Sequence, residues 1–82
     1  MAITLTQFET IDGLAGSLFR MGDFMECANP RAYIQTQNKL LDACADAMGW
    51  AFVDAFEDAE DCAAHVLADA LTGVLDVVDV VD

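Results

Sequence analysis

From Trp50 to Asp82 the acidic and apolar residues recur with the period of an α-helix. At about 100° per residue, Asp54, Asp58, Asp61, Asp69, Asp76 and Asp79 fall on one stripe, with His65 and Thr72 in its gaps. Phe52, Phe56, Ala59, Ala63, Val66, Leu67, Ala70, Val74 and Val77 fall on the opposite face. Such a segment predicts a long amphipathic helix whose apolar side the rest of the chain must cover. A strand would put Asp76 and Asp79 on opposite faces, so the helical period suits the tail as well. The β-branched run from Val74 to Val81 is the feature that favours a strand there. Gly73 is where the segment would divide into two helices.

The charge is as lopsided as the wheel. Eleven of the fifteen acids follow Lys39 and no Lys or Arg does, so the second half carries −11. The first 39 residues carry −1, which completes the net charge of −12. That balance argues against direct binding to nucleic acid, which needs cations against phosphate. It argues equally against an anionic membrane surface. A basic protein surface is the partner it favours.

The first half carries ordinary helix signals. Thr6-Gln7-Phe8-Glu9 reads as a capping box, which starts a helix at Thr6. Phe8, Ile11, Ala15, Leu18, Gly22 and Met25 share one side of it, flanked by Leu14 and Phe19. Gly13 and Gly16 lie inside, each at a cost of about 1 kcal/mol relative to Ala, and close helix–helix approach is the expected reason. Gly22 ends or kinks the helix, and Asp23 to Ala28 forms a turn. Met21, Phe24 and Met25 are candidates for an exposed adaptable patch.

Asn29-Pro30 is the clearest boundary, with Asn as N-cap and Pro as first helical residue. The second helix runs to about Met48 and Gly49 follows as its C′ residue. Tyr33, Ile34, Gln37, Leu40, Leu41, Cys44 and Met48 form its apolar face. Trp50, Phe52 and Phe56 read as core. The fold expected is all-α, a single domain over residues 1–82 with three main helices in up to five pieces, neighbours antiparallel. With 56% hydrophobic residues in so short a chain, a homodimer is an expected way to complete the core.

The chemistry-bearing residues are few. Cys27, Cys44 and Cys62 are too sparse for a disulfide scaffold and fit a reducing cytosol, so the expected location is cytoplasmic. The N-terminal residues show no basic segment before an apolar run, and no apolar stretch approaches the ~20 residues of a membrane helix. Cys62-Ala-Ala-His65 has a spacing that suits zinc, but the paired Cys-x-x-Cys knuckle is missing. The acids from Asp54 to Asp61 lack the alternation and Gly turn of a calcium loop, and position 62 breaks a Glu-x-x-His pair. No metal or other cofactor is therefore expected. One His, one Ser and no phosphate loop or nucleophile elbow argue against an enzyme. Gly16-Ser17-Leu18 departs from the Asp-Ser-Leu attachment site of acyl carrier proteins in its first residue and in its place inside the first helix.

The expected function is therefore that of a small interaction or inhibitor protein. Asp54, Asp58, Asp61, Asp69, Asp76 and Asp79, with Glu57 beside them, would pair with Lys and Arg of a nucleic-acid-binding partner. Carboxylates three or four residues apart on a helix lie ~5–6 Å from one another, comparable with neighbouring phosphates. In size, charge and lack of catalytic apparatus the chain resembles small acidic phage inhibitors of the anti-CRISPR and anti-restriction type, although no motif ties it to a family. The alternatives are a structural homodimer whose acid face is only solvated, or an antitoxin or regulatory subunit of a basic protein. Halophilic adaptation would spread the acids over both halves.

Overall fold

The structure is a computed structural model that describes residues 2–22 and 24–79. Helices make up 74% of it. In chain order the elements are β1 (Ala2–Thr4), α1 (Leu5–Met21), a 3-10 turn (Phe24–Glu26), α2 (Pro30–Met48), α3 (Trp50–Val53), α4 (Ala59–Thr72) and β2 (Asp76–Val78). The three long helices, α1, α2 and α4, pack on one another around a single core. The all-α class with three main helices is thus the observed architecture. What helical periodicity did not foresee is a two-stranded ribbon. β1 and β2 pair in parallel, with Ala2 opposite Asp76, Ile3 opposite Val77 and Thr4 opposite Val78.

The ribbon moves the start of α1. The N-cap is Thr4 and not Thr6: the Thr4 hydroxyl accepts from the Gln7 N–H at 3.0 Å, and the Gln7 side-chain carbonyl accepts from the Thr4 N–H at 2.9 Å. Thr4 is still extended, with ψ 158°, because it ends β1, and the change from strand to helix falls there. Gln7 also donates to the Asp46 carboxylate at 3.2 Å, which ties the start of α1 to the end of α2. Thr4→Ala is expected to lower the unfolding free energy by about 1 kcal/mol, readable as a shifted urea midpoint with unchanged slope.

α2 has the predicted bounds. The Asn29 side chain accepts from the Ala32 N–H at 3.1 Å, Pro30 opens the helix, and the Gly49 N–H donates to the Ala45 carbonyl at 2.8 Å. Leu40 and Cys44 lie at the centre of the core with Ile11 and Leu18 of α1 and Cys62, Ala63 and Val66 of α4.

The second half is not one helix. It breaks twice, first between Val53 and Ala59 and again at Gly73. Gly73 adopts the left-handed conformation, φ 81° and ψ 3°, which ends α4 as side chains with a Cβ resist. The Leu75 N–H then donates to the Asp69 carbonyl at 2.9 Å, and Leu75 is buried. The chain continues as β2 against β1, so the Val-rich tail is a strand over Asp76–Val78. Residues 80–82 of the expected helix and Asp23 of the expected turn lie outside the described residues.

Two thiols sit inside the core. Cys44 and Cys62 are both fully buried, on α2 and α4. Burial pushes the Cys44 thiol from its ordinary 9.0 up to about 12, and the Cys62 thiol beside it adds to the rise. Burial raises Cys62 as well, partly offset by its hydrogen bond with Cys44. Below pH 9 these thiols are neutral whether the chain is folded or not. Above it the unfolded chain ionises first, so the contribution they make to stability is lost as pH rises through about 12. The melting temperature is expected to fall across that window, and Cys44→Ala to flatten the fall in a pH series of thermal melts.

Candidate functional site

The acidic surface is built around the segment that joins α3 to α4. Gly49 ends α2, and α3 is a single turn closed by the Val53 and Asp54 N–H groups donating back to the Gly49 and Trp50 carbonyls. Two further short bonds, Ala55 N–H to Phe52 and Phe56 N–H to Val53, carry the chain through a turn. Asp58 then caps α4, its carboxylate accepting from the Asp61 N–H at 2.7 Å. The result is five exposed carboxylates in eight residues: Asp54, Glu57, Asp58, Glu60 and Asp61.

The segment is held in place from below. The Phe52 and Phe56 rings lie 5.1 Å apart, and the His65 ring sits 6.0 Å from the first and 5.3 Å from the second. All three pairs are tilted, with interplanar angles of 50°, 52° and 50°, at centroid separations within the range of favourable aromatic pairs. His65 Nε2 in turn lies 3.3 Å from the Asp69 carboxylate. The Tyr33 hydroxyl donates to Glu60 at 3.3 Å and joins α2 to the start of α4.

Three shallow concavities surround the carboxylates. One of about 550 Å³ lies between α1, α2 and the start of α4, with Phe19, Tyr33, Asp58 and Glu60 in its wall. A second, of about 410 Å³, runs between α1 and α4 and shares Phe19 and Glu60 with the first. A third, of about 270 Å³, lies beside Trp50 and takes in Asp54, Glu57 and Asp58. Phe19 is 82% exposed and Trp50 56%.

The single stripe predicted for the acids does not exist, because no continuous helix carries it. The fold gathers Asp54, Glu57, Asp58 and Asp61 at the start of α4. Asp69 lies two turns further on and pairs with His65. Asp76 is in β2 and Asp79 follows it, beyond the far end of a helix of 14 residues, about 20 Å long. The acids therefore follow no phosphate-like period along one helix face. Trp50 is also not core, while Phe52 and Phe56 pack against it. Glu60, Asp12 and Phe19 join the site although the wheel of the second half left them out. The local density of acids from 54 to 61 was the signal for Glu60; Asp12 and Phe19 come from α1 and had none.

Among the described residues Cys44 and Cys62 are neighbours, and neither Cys27 nor His65 joins them. Cys44 and Cys62 are buried, Cys27 donates to the Asn29 carbonyl at 3.3 Å, and His65 is on the surface. Among the described residues no three His, Cys, Asp or Glu side chains come together as a metal ion would require. Ser17 accepts from Arg20 at 3.4 Å. Met25 is exposed and Met21 half-buried, while the Phe24 side chain lies outside the described residues. No described helix is long and apolar enough to cross a membrane. No family model, curated protein or solved structure matches this chain.

Proposed function

We propose that this chain is an interaction protein that occupies a basic surface of a partner, of the kind that otherwise holds nucleic acid. The observation that carries the reading is the cluster from Asp54 to Asp61. Its acids do not all serve the fold. Asp58 caps α4, and Glu60 and Asp61 suit the positive end of the helix dipole. The Asp54 and Glu57 carboxylates make no hydrogen bond or ion pair among the described residues, and they repel the others. Carboxylates that no described residue partners are free to meet a partner's cations.

The mechanism follows from charge and shape. A net charge of −12, of which −11 lies after Lys39, steers a cationic surface toward this half of the molecule. Trp50 and Phe19, exposed at the edges of the cluster, then supply apolar contact that slows release. Inhibition of a nucleic-acid-handling protein, as by the anti-CRISPR and anti-restriction type, is the most specific form of this reading, and it places the chain in the cytoplasm. The test is a low-salt pull-down with two baits, the wild-type chain and Asp54→Lys/Glu57→Lys/Asp61→Lys. A nucleic-acid-binding protein retained by the first, lost by the second and released from its nucleic acid by the wild-type chain supports the reading. Identical captures by both baits sink it.

A second reading, the homodimer, is favoured by a different surface. Leu71 is 78% exposed and Val74 73%, and among the described residues each strand of the adjoining ribbon pairs with one other strand only. Sedimentation equilibrium decides it: a dimer dispersed by Val74→Lys/Val78→Lys supports the reading, and a wild-type monomer removes it.

A further inference from the structure

Among the described residues no packing contact requires the two glycines of α1. A Cβ on Gly13 would meet nothing within 4 Å, and one on Gly16 would meet only the flexible end of Arg20, at 3.8 Å. The close helix–helix approach expected of them is absent. Glycine inside a helix weakens it, so both positions lower the stability of α1 without a return in packing. Gly16 lines the groove between α1 and α4 together with the small residues Ala15 and Ala64 and with Leu67. Phe19, the large ring that the fold leaves 82% exposed, lines it too. Asp12, Glu60 and Asp61 line the same groove.

We propose that this groove seats a cationic amphipathic helix of the partner protein, its apolar side chain over Gly16 and against Phe19, its Lys or Arg side chains on Asp12, Glu60 and Asp61. Small residues in the floor let a helix backbone come close, and the acidic rim selects its charge. The rim also argues against a second copy as occupant: two such grooves face to face would set like charges against each other, in a chain of net charge −12. Arg20, at the edge beside Gly16 and hydrogen-bonded to Ser17, is the cation nearest the floor. This assignment rests on the reading of the chain as a binder of basic surfaces and adds to it the place and the secondary structure of what is bound.

The test titrates the ¹⁵N-labelled full chain at low salt with a helical Lys/Leu peptide of about 14 residues, and with a peptide of equal charge in which Gly replaces each Leu. Saturable amide shifts confined to α1 around Gly16 and α4 around Ala64, from the Lys/Leu peptide alone, are expected. Phe19→Ala and Gly16→Leu should each weaken binding roughly tenfold or more. Gly16→Leu fills the floor while improving helix propensity, so it should melt no lower than the wild type, and its lost binding is not lost folding. Equal binding of both peptides, or shifts confined to Asp54–Asp58, would overturn the groove and leave the electrostatic reading standing. No binding of either peptide would overturn both. Concentration-dependent shifts at the groove without peptide would assign it to a second copy and overturn the proposal.

Discussion

Leu40→Ala is expected to lower the unfolding free energy by about 3 kcal/mol and the melting temperature by roughly 12–24 °C. Leu40 is fully buried near the middle of α2, in the one core the three long helices share. Truncation removes the transfer free energy of the lost methyl groups and leaves a cavity that only partly collapses. A chain of 82 residues has little to set against that, since a domain so small buries a modest fraction of its surface. Ile34→Ala, on the same helix but half-exposed, is the control and should cost well under half as much. Thermal melts of both variants check the pair. Equal losses would mean that the core does not centre on Leu40.

The second large effect is expected in binding. Asp54→Lys/Glu57→Lys/Asp61→Lys changes the net charge from −12 to −6 and should weaken binding to a basic partner roughly 100-fold at low salt. Asp76→Lys/Asp79→Lys changes it by four but acts beyond the other end of α4, and should weaken binding by no more than about fivefold. Asp58 is left alone because it caps α4, and its loss would confuse folding with binding. Lys at position 61 meets the positive end of α4, at a cost of about 0.3–1 kcal/mol, offset in part by relief of repulsion among the loop acids. Isothermal titration at several salt concentrations separates the two variants. Equal losses from both would show that total charge matters and the cluster does not.

The two variants differ only because the fold divided what periodicity had joined. On a continuous helix Val53 and Ala59 would point about 120° apart, yet both are buried. The turn between them reconciles the two by redirecting the chain. A local signal for it existed in Asp58, a good N-cap three residues before Asp61. Residues 53–58 contain neither Gly nor Pro, so nothing in them forces a break. The break follows from what the rings and Val53 reach: Phe52 and Phe56 pack beside His65, and Val53 joins the core.

The ends of the chain show the same division. Thr4-Leu5-Thr6-Gln7 and Thr6-Gln7-Phe8-Glu9 are both capping patterns, and only β1 decides between them by holding Thr4 extended. β1 in turn exists because β2 pairs with it across more than 70 residues of sequence. A three-residue strand has no stability of its own, so its partner decides whether a Val-rich tail is helix or strand.

What the sequence determined by itself was local: the helical class, α2 from Pro30 to Met48 and the excess of charge after Lys39. Each depends on residues within a turn or two of one another, where caps, propensity and charge act directly. The tertiary structure decided which carboxylates share a surface, that Trp50 and Phe19 stand exposed, and that the two ends meet in a ribbon. Those outcomes depend on which distant segments bury one another's apolar surface, and no wheel drawn along one stretch contains that information.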